Sequence, residues 1–135
     1  AVAVTAPDEP MDMRCYKISK RFDQDISAIM AAVNVRVRGG RIAGARIAFG
    51  GMAATPKRAS AAEAALKGQP FGAEAFEAAM AALEEDIDPI DDHRASAAYR
   101  MKTAKNLLMK YFLERSSGDQ RITGRGKILG AMAAE

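Results

Sequence analysis

Between residues 29 and 38 the chain alternates. Ile29, Ala31, Val33, Val35 and Val37 fall on one side, and Met30, Ala32, Asn34, Arg36 and Arg38 on the other. This period of two marks a half-buried strand. Gly39-Gly40 then supplies the positive φ values of a tight turn, and Ala45, Ile47 and Phe49 alternate beyond it, which predicts a β-hairpin over residues 28–49. Upstream, residues 11–19 read as a strand, because Cys15, Tyr16 and Ile18 lack helical spacing. After Gly50-Gly51 and Thr55-Pro56 the character changes to alanine-rich helix. Ser60 followed by Glu63 fits a capping box, and Gly68 suits a left-handed stop, so a short helix is predicted over 60–67. Phe76, Met80, Leu83 and Ile87 form the stripe of a second helix ending before Pro89. Ala97, Met101, Ala104, Leu108 and Phe112 repeat that spacing in a third, predicted from about Asp92 to Glu114, with Arg100, Lys102, Lys105 and Lys110 off its apolar stripe. The Met and aromatic stripes read as core.

Strands followed by helices indicate an α+β fold, a small antiparallel sheet covered by a helical bundle. Residues 1–11, with Pro7 and Pro10 among charges, are expected to be a lead-in or linker, 12–115 the domain, and 116–135 a glycine-punctuated tail. At 135 residues the chain holds one domain with a sizeable core, and 49% hydrophobic with 27% charged residues is ordinary for a globular protein. No apolar run approaches the ~20 residues that span a bilayer, and the opening has no basic n-region of a signal peptide. A single cysteine, Cys15, cannot form an internal disulfide and suits the reducing cytoplasm. Cys15 and His93 are also too few for an iron–sulfur cluster or a structural zinc site.

The net charge of +3 conceals three blocks. Residues 14–46 hold eight basic and two acidic side chains, 63–92 one basic and nine acidic, and 94–127 nine basic and two acidic. Such blocks either orient a partner or solvate different faces.

Little here assembles an enzyme site. His93 has no nucleophile signature around it. Asp86, Asp88, Asp91 and Asp92 lack the alternation and glycine of a calcium loop and read as helix caps around Pro89. Gly39-Gly40 and Gly50-Gly51 are turn glycines rather than a nucleotide-binding loop. Lys17, Lys20 and Arg21 sit at the end of a predicted strand beside Tyr16 and Phe22, followed by Asp23, Gln24 and Asp25. Cations on a rigid strand end can hold a phosphate or stabilise a reduced flavin, although from spacing alone a solvated basic face is the simpler reading. The strands lack the aromatic platform of an RNA-recognition module, and no nucleic-acid or membrane partner is expected.

Three ordered segments narrow the choice. Tyr16-Lys17-Ile18-Ser19-Lys20-Arg21-Phe22-Asp23-Gln24-Asp25-Ile26-Ser27 resembles the opening of the C-terminal domain of the FAD-binding subunit of xanthine dehydrogenase, a CO dehydrogenase flavoprotein C-terminal domain-like module. Ala45-Arg46-Ile47-Ala48-Phe49-Gly50-Gly51-Met52-Ala53, with Pro56-Lys57-Arg58-Ala59 and Glu63-Ala64-Ala65-Leu66-Lys67-Gly68, resembles its second block, and Arg94-Ala95-Ser96-Ala97-Ala98-Tyr99-Arg100 its third. The resemblance implies a three-stranded antiparallel sheet with a three-helix bundle that closes one side of a flavin pocket. It also implies a cytoplasmic molybdenum hydroxylase oxidising hypoxanthine and xanthine to urate. There electrons pass from molybdopterin through [2Fe–2S] clusters to FAD and on to NAD.

The partners so implied are an FAD-binding domain upstream or on another chain, and iron–sulfur and molybdopterin subunits. The resemblance assigns cofactor contacts to Lys17, Arg21 and Ile26, and no catalytic or metal-ligating residue. Gln24 stands where many relatives carry aspartate, and Phe22 where a second arginine is common. Another molybdenum hydroxylase, of CO or aldehyde dehydrogenase type, and a purely structural assembly module are the alternatives.

Overall fold

A computed structural model describes residues 12–21 and 25–118. The predicted lead-in falls wholly outside them, as do Phe22, Gln24 and most of the predicted tail. Four strands, β1 (Met13–Ile18), β2 (Ile29–Arg38), β3 (Arg41–Gly50) and β4 (Lys57–Arg58), form one antiparallel sheet in the order β1-β2-β3-β4. Three helices follow, α1 (Ser60–Leu66), α2 (Ala73–Asp86) and α3 (Ala97–Ser116).

The fold is α+β with a three-helix layer, as expected, but the sheet has four strands rather than three. The additional strand, β4, has only two residues, both exposed, so it carries no period. It is held by pairing of Lys57 with Phe49 and Arg58 with Ala48, and by the Ala59 N–H donating to the Ile47 carbonyl at 2.9 Å.

The hairpin turns at Gly39 and Gly40, with φ of 56° and 73°, the double left-handed geometry of a type I′ turn. Ile29, Ala31, Val33 and Val35 face the helices and are buried with Ile47 and Phe49. A bulge between Arg36 and Val37 shifts the register near the turn. Phe71, Phe76, Tyr111 and Phe112 cluster beneath the helices, with ring centroids 5.2–6.1 Å apart. Along the predicted α2 stripe, Phe76, Leu83 and Ile87 are buried, and Met80 packs against the core.

Two cap predictions come out differently. Ser60 is the first helical residue, the N-cap Ala59 has no side-chain bond, and Glu63 does not reach back to cap the helix. The donors at the start of α1 go instead to Asp86, at the end of α2, which accepts from Ser60 Oγ at 3.1 Å, Ala61 N–H at 2.9 Å and Ala62 N–H at 3.0 Å. A carboxylate there also complements the helix dipole. Glu63 is diverted because it accepts the Ile47 N–H at 2.8 Å and pairs with Arg58. These bonds hold its carboxyl below the usual range although burial acts to raise it.

Gly68 has the expected positive φ, 82°. The third helix starts later than predicted, at Ala97, where the Ser96 hydroxyl accepts the Tyr99 N–H at 3.2 Å. Of the carboxylates flanking Pro89, Asp86 and Asp91 cap helices, whereas Asp92 ties the turn ahead of α3. Asp91 accepts the Ala97 N–H at 2.6 Å, and Asp92 accepts those of Arg94 and Ala95 at 2.8 and 3.1 Å. Part of the charge-block pattern is internal, since Lys105 of α3 donates to Glu84 of α2 at 2.5 Å.

Candidate functional site

Side chains of the sheet that point away from the helices form an open face. Successive rows across it are Lys17, Met30 and Gly50, then Cys15, Ala32, Ala48 and Arg58. Alternation explains this: Tyr16 and Ile18 turn toward the core, so Lys17 turns outward. Lys17 has no hydrogen bond or ion pair among the described residues. Beside it Met30 is left 46% exposed, and Gly50 offers no side chain.

The chain then runs into the loop that joins β1 to β2. Its two ends are closed by the Ala28 N–H donating to the Ile18 carbonyl at 2.8 Å. Ser19 Oγ donates to the Arg21 carbonyl at 2.7 Å, and the Arg21 N–H donates to the Asp25 carboxylate at 2.9 Å. That backbone bond, with the Arg21 guanidinium 3.6 Å away, holds the Asp25 carboxyl below its ordinary range. The Arg21 side chain is 76% exposed and Ile26 is 66% exposed. Lys17, Arg21 and Ile26 therefore share one end of the sheet, in accessible positions. Lys20, their neighbour, donates to the His93 carbonyl at 2.8 Å.

Two further connections meet at this end. The segment after β3 passes Gly51, and the turn before α3 passes Asp92. Between them lies Arg100, whose residue is 1% exposed. Its guanidinium donates to the carbonyls of Ala28 and Gly51 through Nη1, and to Asp92 through Nη2 at 2.6 Å. Burial acts to raise the Asp92 carboxyl, but the Arg94 and Ala95 N–H groups and Arg100 outweigh it and bring it down to about 2.

Arg100 corrects the sequence expectation that it lay off the apolar stripe. Arg100, Ala104, Leu107, Leu108, Tyr111 and Glu114 are the buried positions of α3. The signal was an arginine spaced by four from Ala104 and by eight after an aspartate. The same-sign neighbours Lys102 and Lys105 concealed it.

The arrangement suits an isoalloxazine ring in kind. A flavin needs an apolar surface to lie against and a cation or donor near the position that gains negative charge on reduction. Exposed Ile26 and Met30 could offer the first, and the Lys17 ammonium, unpaired among the described residues, the second. A separate cavity of about 500 Å³ begins at the adjacent row and extends away from Lys17, lined by Met13, Ala32, Asn34, Arg46, Ala48 and Arg58. It contains none of the three predicted contacts. No cluster of three or more metal-ligating side chains, and no helix long and apolar enough to cross a membrane, occurs among the described residues.

Residues 14–115 match the CO dehydrogenase flavoprotein C-terminal domain. The chain belongs to that family. The flavoprotein domain is 30% identical over 108 residues to the xanthine dehydrogenase FAD-binding subunit of Escherichia coli O157:H7, covering 80% of this chain and 37% of that protein. It is 29% identical over 99 residues to the glyceraldehyde dehydrogenase medium chain of Sulfolobus acidocaldarius, covering 73% of this chain and 35% of the relative. It superimposes on a carbon monoxide dehydrogenase from Hydrogenophaga pseudoflava with a TM-score of 0.67 and 34% identity, covering 73% of this chain and 34% of that one. The chain thus spans little more than a third of these two curated relatives, and less than a tenth of others it matches. These relatives are components of dehydrogenases that act on different substrates.

Proposed function

We propose that this chain is the C-terminal domain of the FAD subunit of a xanthine dehydrogenase, closing one side of the flavin pocket in a cytoplasmic molybdenum hydroxylase. The observation that carries the reading is the pairing of an ammonium with no partner among the described residues, Lys17, with large apolar side chains left exposed at the same sheet end. Bound FAD would accept electrons from iron–sulfur clusters and pass them to NAD, with molybdopterin acting on the purine elsewhere in the complex. The residues of this chain would do narrower work. Lys17 would offset negative charge gained by the ring. Ile26, with Met30, would cover an apolar face and exclude water, and Arg21, braced by Asp25, would add a donor at the rim. The FAD-binding domain would supply the diphosphate site, since no glycine-rich phosphate loop occurs here.

Exchanging Lys17→Ala in the assembled enzyme tests this. NAD reduction or flavin retention should fall, while purine oxidation with an artificial acceptor stays largely intact. Equal loss of both activities would contradict it. A second reading, the same domain in an aldehyde- or CO-oxidising hydroxylase, is favoured by the glyceraldehyde and carbon monoxide dehydrogenase relatives. It predicts the same flavin effect with a different substrate.

A further inference from the structure

Arg100 is costly where it stands. A buried guanidinium loses its hydration and is retained only with full hydrogen bonding, and an apolar side chain of similar volume would stabilise a core equally well or better. Its partners are two backbone carbonyls from different connections, Ala28 just before β2 and Gly51 just after β3, together with Asp92 and, at 3.4 Å from Nε, the Ala95 carbonyl in the turn before α3. Without a donor between them, the Ala28 and Gly51 carbonyls would meet as two acceptors. The approach is close enough that a Cβ on Gly51 would stand 2.8 Å from the Ala28 oxygen and 3.4 Å from Arg100 Nη1. A planar, multiply donating group fills that gap, and a lysine would not.

A second tie reaches the same loop from its other side, where Lys20 Nζ donates to the His93 carbonyl at 2.8 Å, next to Asp92. Asp92 is itself fixed by the Arg94 and Ala95 N–H groups. The loop that holds Arg21 and Ile26 is thus fastened at Lys20 and at Ala28 to one rigid turn.

From this geometry we infer that Arg100, Asp92 and Lys20 are positioning residues, fastening the loop between β1 and β2 so that Arg21 and Ile26 are presented to the flavin at a fixed height. This rests on the flavin reading given above. Neither Arg100 nor Lys20 need touch the cofactor. A contact surface held to within about half an ångström requires such support, because exposed loops otherwise sample many conformations.

The test is hydrogen exchange together with the flavin absorption spectrum, measured on the intact assembly carrying this chain. Arg100→Lys keeps the charge but cannot bridge both carbonyls and Asp92. Lys20→Met changes only an exposed side chain, so it remains informative should Arg100→Lys fail to fold. Loss of hydrogen bonds to a charged donor is expected to speed exchange in the segment 25–29 of Arg100→Lys about tenfold or more. Lys20→Met should speed exchange of 19–21, and Lys20→Arg, which keeps a donor, should restore it.

In both loosened variants the flavin bands should shift or lose intensity, with exchange in the middle of β2 unchanged. Wild-type exchange rates in the loop of both variants would overturn the clamp. Faster exchange with an unaltered flavin spectrum would overturn its role in presenting the loop. If Lys17→Ala also left the spectrum unaltered, the fault would lie in the flavin reading itself.

Discussion

Replacing Gly51 by alanine tests the closeness of the strand ends directly. Gly51 has φ +77°, so any other residue there incurs left-handed strain of about 1–2 kcal/mol. The added Cβ also lies 2.8 Å from the Ala28 carbonyl oxygen, a backbone atom that cannot move without parting from Arg100. Each weakened hydrogen bond to a charged donor is worth about 1.5–3 kcal/mol. Strain and one such loss together give about 2.5–5 kcal/mol, a large share of the 5–15 kcal/mol typical of a domain.

Two other glycines, one at each end of β3, calibrate the result. Gly40 has a positive φ but nothing within 4 Å of an added Cβ, so Gly40→Ala is expected to cost only the strain, about 1–2 kcal/mol. Gly50 lacks the positive φ and would place a Cβ 3.7 Å from Met30, ordinary contact, so Gly50→Ala should lie within about 0.5 kcal/mol of wild type. Urea denaturation of the three variants reads the differences. With a slope of about 2 kcal/mol per molar, Gly51→Ala should lower the midpoint by about 1–2.5 M. A Gly51→Ala midpoint no lower than that of Gly40→Ala would refute the argument from close approach.

Acid should act through Asp92. Its carboxyl titrates at about 2 in the folded chain against 3.8 ordinarily, so its contribution to stability is complete above about pH 4 and is lost as pH falls toward 2. Denaturation at a series of pH values should show Asp92→Asn less stable at neutral pH, with a flatter decline between pH 4 and 2, and a decline parallel to wild type would count against it. At Glu63, the glutamine variant keeps an acceptor for the Ile47 N–H and loses mainly the half-exposed Arg58 pair, worth about 1 kcal/mol at most. Glu63→Ala leaves that buried N–H unsatisfied and should cost a further ~1–3 kcal/mol in thermal unfolding; equal losses would contradict this account.

The elements legible in the sequence are those with a repeating signal. The hairpin alternated over ten residues and turned on two glycines, and the α2 stripe ran from Phe76 to Ile87. What was hidden depends on partners remote in the chain. Ser60 and Glu63 have the spacing of a capping box, yet the cap comes from Asp86, 26 residues from Ser60, because Arg58 and the Ile47 N–H compete for Glu63. Arg100 looked like one cation of a solvated helix face, and only the meeting of three connections shows why it is buried. For the candidate site, alternation alone exposes Lys17. The flavin roles of Lys17, Arg21 and Ile26 come instead from family resemblance, since a strand-end cation has no period that distinguishes a cofactor contact from a solvated charge.

The most direct test of the central claim is the visible absorption spectrum of the native assembly isolated through a tag on this chain, recorded before and after anaerobic addition of xanthine. The account predicts flavin and iron–sulfur bands that bleach on addition. A preparation that contains the partner subunits but is colourless would contradict it and leave an assembly module as the better reading of this fold.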